Sequence, residues 1–186
     1  MTLYKCFDAA FPPATAPPGA QAVLGYIGRE GQTPHVWTLG EWQRFAHLRQ
    51  FPAWVPDFGN DPDHEAVSAV LAALDFGWAA FQGTAWRAIV CDAETSQHPD
   101  WYARWAARIG SEGFAPVEYG SLSTIDGNHA KDEWIASWDG LAVLPAWQDA
   151  DAKQYQAGAA WEGVRVDLSV IDEWLWDRGG QGPRHG

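Results

Sequence analysis

RAIVCDAET, at residues 87–95, is the stretch whose reading decides the fold. Ala88, Ile89 and Val90 make an apolar run that is too short for a core helix, carries β-branched residues and lies between Gly83 and Pro99. Such a run reads as a buried strand of a parallel sheet. Side chains alternate across a strand, so Val90, Asp92 and Glu94 share one face while Ile89, Cys91 and Ala93 share the other. Two carboxyl groups then project together from the mouth of a sheet. Glycosidic hydrolysis needs such an arrangement: one carboxyl group with a raised pKa protonates the leaving oxygen, and a second charge stabilises the positive sugar ring. The simpler alternative is that Asp92 caps the following turn and Glu94 is solvated.

Outward from this strand the chain alternates between helical and extended patterns. Upstream, Asp63 begins a long helix with Val67, Val70, Leu71 and Leu74 at helical spacing, and an irregular segment through Trp78 and Phe81 leads into the strand. Downstream, Pro99 opens a helix through Trp101, Trp105 and Ile109 that closes near Gly113. Residues 114–121, FAPVEYGS, are the next strand, and a weak helix or loop runs on to Asp132. Residues 133–140, EWIASWDG, alternate as a strand with Trp134, Ala136 and Trp138 on one face. A short strand is expected at residues 153–156, KQYQ, which includes Tyr155, and a last one at 164–171, VRVDLSVI, with Asp167 inside it.

Toward the N-terminus, residues 4–9, YKCFDA, form a strand ending in Asp8, and four prolines within residues 12–21 leave a loop with no crossover helix. Residues 22–28, AVLGYIG, are the second strand. Thr38 with Glu41 three residues on is a capping box for a helix through Trp42, Phe45 and Leu48 to about Arg49. Residues 51–58, FPAWVPDF, are a third strand made irregular by its two prolines, with Asp57 at its C-terminal end. Residues 1–177 read as one domain and residues 178–186, RGGQGPRHG, as a flexible tail.

About eight strands, mostly separated by helical segments, imply an α/β fold with a parallel sheet and helices outside it. A closed (β/α)8 TIM-type barrel usually takes around 250 residues. At 186 residues the barrel must be compact, with several outer helices short or missing. A doubly wound open sheet is the competing architecture, but Gly25 and Gly28 do not make the dinucleotide fingerprint. In a barrel, acids at the C-terminal ends of different strands converge on one site. Asp8, Asp57, Asp92, Glu94 and Asp139 all occupy such ends.

Composition narrows the partners. A net charge of −12 with only 12 Lys and Arg argues against nucleic acid and against anionic membrane surfaces. The N-terminus has no basic segment followed by an apolar stretch, so a chain synthesised in the cytoplasm without a Sec signal is expected. No run approaches the roughly 18 apolar residues of a membrane span. Cys6 shares strand parity with Asp8 and should face inward, Cys91 should face outward, and no disulfide joins them on this reading. His35, His98 and His129 lack paired spacing, so no metal and no other cofactor is expected, and no G-x-S-x-G nucleophile elbow occurs.

The order FDAA, IVCDAET, VEYGS, EWIASWDG, QYQAG and VRVDLSVID resembles the family 25 glycoside hydrolases, which are N-acetylmuramidases. It is more similar still to the actinobacterial and actinophage group called glycoside hydrolase-like, or domain of unknown function 1906, where segments like GYIG and TPHVWTLGEW recur. The resemblance spans about residues 5–175. It implies a barrel whose catalytic carboxylates are Asp8, Asp92, Glu94 and Asp167, with Glu94 as general acid and Asp92 as the acid that orients or stabilises. It implies cleavage of the β-1,4 bond after N-acetylmuramic acid with the substrate's acetamido group as internal nucleophile, Tyr119 helping to hold that group, and Trp134 and Trp138 as an aromatic floor for sugar rings. Two departures stand out: the first outer helix is missing, and Phe11-Pro12-Pro13 follows the first-strand Asp where the family has a tryptophan.

The partner that follows is peptidoglycan or another glycan, with Asp57, Asp139 and Tyr155 as further substrate-binding candidates. Like-charge repulsion from Asp92 and Asp8, and burial against Trp138, would raise the pKa of Glu94. Exposure is expected for Trp138, and for Trp134 or Trp37, whereas Trp42, Trp101 and Trp105 belong to helix faces that face the core. The competing reading is a catalytically silent barrel that binds carbohydrate or builds part of a phage virion, where it would meet other virion proteins. A lysin normally carries a cationic or repeat-built wall anchor, and neither pattern occurs in this sequence. The place of action is the cell wall or a phage particle on either reading.

Overall fold

The apolar run around Ile89 becomes a strand, and its neighbours form largely in the order the spacing predicts. The computed structural model describes residues 2–28, 35–78, 87–94, 98–128, 132–145 and 150–181. Along the chain these form β1 (Tyr4–Asp8), β2 (Ala22–Tyr26), α1 (Leu39–Arg44), β3 (Arg49–Trp54), α2 (Pro62–Asp75), β4 (Arg87–Asp92) and α3 (Pro99–Ser111). There follow β5 (Phe114–Ser121), α4 (Leu122–Asn128), β6 (Glu133–Ala136), β7 (Ala152–Trp161), β8 (Val164–Ile171), α5 (Glu173–Arg178) and β9 (Gly180–Gln181).

Strands β1 to β7 pair in sequence order, each parallel to the next, and β8 pairs with both β7 and β1 to close an eight-stranded barrel. β8 runs antiparallel to both neighbours. A wholly parallel sheet is therefore met by seven strands and not by the eighth. The reason is the connection: Glu162 and Gly163, at φ 48° and 81°, form a two-residue turn between β7 and β8. A two-residue link with positive φ at both positions makes an antiparallel hairpin, whereas a parallel return needs a crossover of a dozen residues or more.

Several boundaries shift for physical reasons. Thr38 does cap α1 with Glu41 in a reciprocal capping box. The helix nevertheless ends at Arg44 rather than near Arg49, because Arg49 already pairs with Ala22 in the barrel. β3 stops at Trp54, before Pro56. β6 stops at Ala136, and β7 is a ten-residue arm rather than a short strand. The tail expected from residue 178 is structured at its start: Arg178 closes α5, and Gly180–Gln181 pair antiparallel with Gln50 and Arg49. Residues 182–186 lie outside the described residues.

Alternation sorts the strand residues into two cores. Cys6, Leu24, Phe51, Val90, Val117 and Trp134 fill the barrel. Phe7, Val23, Ile89, Cys91 and Phe114 face outward against Trp42 and Phe45 of α1, Ala66 and Val70 of α2, and Tyr102, Trp105 and Ile109 of α3. The two cysteines thus lie on opposite sides of the barrel wall, both as free thiols. Trp42 and Trp105 are fully buried as expected, and Trp101 is half-buried. Each buried Trp removes about 150–250 Å² from water and contributes a few kcal/mol, so the aromatic helix faces hold the outer layer. Among the described residues, no helix is long and apolar enough to cross a membrane.

Candidate functional site

The barrel register brings the acids together. Asp8, the last residue of β1, is the direct partner of Asp167 in β8. Asp92, the last residue of β4, is the partner of Tyr119 in β5. Inward parity continues through Glu94, which leaves the strand and reaches solvent at the rim. Asp8, Asp92, Glu94 and Asp167 therefore form one cluster across β1, β4 and β8, and each of the first three responds to the charge of another member.

Burial is the first cause of every shift in this cluster. Asp8, 6% exposed, is pushed well above the ordinary carboxylate range by burial, then by the charge of Asp167, with Asp92 and Glu94 adding to it. Its Oδ2 meets no donor among the described residues. Burial and then the charge of Glu94 raise Asp92 to about 7, against a hydrogen bond that Tyr26 Oη donates to Asp92 Oδ2 at 3.3 Å. Glu94 is raised by burial, with a contribution from Asp167, and is held back by a hydrogen bond from the Tyr119 hydroxyl. The repulsion expected from Asp92 and Asp8 is thus replaced by burial and Asp167. Asp8 and Asp92 both respond to the charge of Glu94, and Asp8 to that of Asp92, so these three titrate as a set.

Two residues at the site escape the sequence reading. Tyr26 ends β2 on the same parity as Leu24, which faces the barrel interior, so its inward position was readable from alternation once the strand was placed. Gln154 is 1% exposed, and its Nε2 donates to Asp167 Oδ2 at 3.0 Å and also to Asp8. Its Oε1 accepts the indole N–H of Trp138. The other oxygen of Asp167, Oδ1, accepts the backbone N–H of Gly158. Gln154 shares parity with Ala152, which faces the barrel interior, but a long strand there was not expected.

The substrate-binding candidates separate. Trp138 is 66% exposed beside the acids. Trp134 is fully buried: its Nε1 donates to Ser169 Oγ at 3.1 Å, and its ring packs edge-on against Phe51, so it is a floor of the core and not of a groove. Trp37 is fully buried too, donating to the Ala9 carbonyl oxygen at 3.1 Å. Tyr119 is 7% exposed and uses its hydroxyl on Glu94. Asp139 clasps the ammonium of buried Lys153 at 2.7 and 2.8 Å. Asp57 lies beyond β3 and accepts the Gly59 N–H at 2.9 Å in its own turn. Tyr155 faces a cavity of ≈ 250 Å³ on the outer side of β1 and β8, lined also by Lys5, Pro17, Ala159 and Trp161. None of these last three joins the acids through a described contact.

Among the described residues, no group of three or more His, Cys, Asp and Glu side chains is arranged to hold a metal ion. His35 pairs with Glu41, and His98 stacks on Phe58 with ring centroids 4.4 Å apart. His129 lies outside the described residues.

No protein-family model and no curated protein sequence matches the chain. Two solved structures share its fold. An uncharacterized B. stearothermophilus protein superposes with a TM-score of 0.71 at 16% identity, over 95% of this chain and 100% of that one. GHIP, a glycosyl hydrolase 25 of Streptococcus pneumoniae that participates in host cell invasion, superposes with a TM-score of 0.66 at 12% identity, over 91% of this chain and 87% of that one. At these identities the likeness is one of fold. The barrel is of a kind that one glycosyl hydrolase 25 also has.

Proposed function

We propose that this chain is a glycoside hydrolase that cuts a β-1,4 bond of peptidoglycan at the mouth of a reduced (β/α)8-type barrel. The observation that carries the reading is the acid cluster: three carboxyl groups from β1, β4 and the turn after β4 whose environment favours the protonated form, beside the exposed indole of Trp138. A structural barrel has no need of buried acids that resist ionisation, whereas an acid catalyst near neutral pH does. The likeness of fold to a glycosyl hydrolase 25 supports the same reading.

In the proposed reaction Glu94 is the general acid, because it is the member of the cluster that opens to solvent. It passes its proton to the glycosidic oxygen as that bond to the anomeric carbon breaks. The acetamido oxygen of the same sugar forms the new bond to the anomeric carbon, Asp92 orients the acetamido N–H, and water then opens the ring so formed while Glu94 regains a proton. Trp138 offers its apolar face to a pyranose ring. Tyr119 positions Glu94 rather than the acetamido group. The resemblance of its segments to those of the actinobacterial and actinophage group supports an actinobacterial wall as substrate, met at the cell surface or from a phage particle.

Release of reducing ends from purified actinobacterial peptidoglycan tests this, with wild type and Glu94→Gln compared at equal folded concentration. The wild type releases them and the variant loses at least 100-fold, the low end of what a positioned acid supplies. Normal cleavage by Glu94→Gln sinks the assignment of roles. No release by either protein, with circular dichroism intact, replaces the enzyme with the silent carbohydrate-binding or virion barrel.

A further inference from the structure

Gln154 is buried beside Asp8 and Asp167 of the acid cluster, and both ends of its amide are engaged. Nε2 donates to Asp167 Oδ2 at 3.0 Å and to Asp8, while Oε1 accepts the Trp138 indole N–H. An amide can exchange its donor and acceptor ends by a half-turn, and the hydrogen-bond partners decide which way it sits. An indole N–H only donates and an ionised carboxylate only accepts. A flipped Gln154 would set N–H against N–H at Trp138 and oxygen against oxygen at Asp167.

We propose that Gln154 is a positioning residue that couples the exposed ring of Trp138 to the acids Asp8 and Asp167, the indole N–H holding the amide so that its donor end stays on the two carboxyl groups. The ligand of the ring rests on the glycan reading above, but the coupling is a property of the free protein. It is reciprocal. A sugar stacked on Trp138 that fixes the indole also fixes the donor at the acids, and the charge on the acids orients the amide that anchors the platform. The sign follows from the direction of the bond: a donor steadies the ionised form, so withdrawing it moves proton affinity upward. The groups facing Asp8 are Asp167 of β8, Asp92 and Glu94 at the end of β4, Tyr26 of β2 and Tyr119 of β5, with Cys6 on its own strand. None of these others holds Trp138.

The test is a titration of the free protein followed by carboxyl-carbon NMR of labelled aspartates, with an Asp8→Asn spectrum for assignment. Trp138→Phe keeps an aromatic ring at an exposed position and removes only the indole donor, so the amide is released without emptying the core. The Asp8 midpoint rises in Trp138→Phe by roughly half a unit to one unit, and moves the same way in Gln154→Leu. Trp176→Phe, in α5 and stacked on Tyr4 at the far end of β1 from Asp8, leaves that midpoint in place. An unmoved Asp8 midpoint in Trp138→Phe overturns the coupling, and does so even where peptidoglycan cleavage is observed. A shift with no cleavage upholds the coupling while the enzyme reading falls.

Discussion

The hydroxyl of Tyr119 donates to Glu94, and that bond determines how a Tyr119→Phe variant moves. A donor on a carboxylate favours its charged form, so its loss raises the Glu94 pKa above its already raised position. In a pH profile of kcat/KM the limb on which activity is lost to ionisation of the acid shifts to higher pH, while the maximal rate falls because the acid is less well held. A profile that keeps its limb in place shows that Glu94 is not the acid being read. The residues of the cluster were legible because alternation along a strand is strict: Asp92 and Glu94 had to share the face of Val90, which fills the barrel. Alternation says nothing about height along the barrel axis. Trp134 and Trp138 share a parity, yet one is sealed beneath the site and the other lies open at its rim. Gln154 was missed for a different reason, since a neutral amide carries no charge signal and acts only through what it touches.

At the scale of elements, the seam between β3 and β4 shows what local patterns cannot tell. β3 pairs with β4 only through Ala53 and Trp54, while its first residues, Arg49 and Gln50, pair with β9. The Gly179 carbonyl, just before β9, accepts Arg49 Nη1 at 3.3 Å and Arg87 Nη1 at 2.8 Å, one from each side of the seam. A stretch reading RGGQG has every compositional mark of a loose tail, and only the gap it fills gives it a structure. Deleting residues 179–186 should lower unfolding stability by about 2–3 kcal/mol, the worth of two charge-assisted hydrogen bonds and a short ladder. An unchanged urea midpoint at unchanged slope would show that β9 contributes nothing. Gly25 in β2 and Gly28 just after it have a similar tertiary cause. A Cβ on Gly28 would lie 1.9 Å from the Trp54 ring, and one on Gly25 would lie 2.8 Å from Trp37 and Trp42. They are there for close packing of indoles, which is why they miss the phosphate-binding spacing.

At the scale of the whole molecule, the reversed β8 closes the barrel, and its reversal was hidden in a two-residue turn with no glycine at its first position. Closure has an electrostatic consequence that a pH series can read. Asp92 rises from 3.8 to about 7, with burial the leading cause, and Asp8 and Glu94 shift the same way. A carboxyl group with a folded-state pKa above its unfolded value contributes stability that is fully present below the unfolded pKa. That stability is lost as pH rises through the folded pKa. Asp92 alone accounts for up to ~4 kcal/mol of such loss between about pH 4 and pH 8. The net charge of −12 adds self-repulsion in the same direction as carboxylates ionise. Glu41, Asp61, Asp139 and Glu162 act in the opposite sense, since their lowered pKa values give stability that is lost as pH falls through them. Asp61, Asp139 and Glu162 are exposed and Glu41 is half-buried, and their pairs are screened, so they shape only the acid edge. The melting temperature should therefore peak at about pH 4–5 and fall steadily toward pH 8. Asp92→Asn removes one of the titrations behind that fall, so its curve is flatter and crosses above the wild type on the alkaline side. A wild-type melting temperature that climbs from pH 5 to pH 8, or an Asp92→Asn curve parallel to it, would mean that the mouth acids ionise freely and that the barrel does not hold their protons.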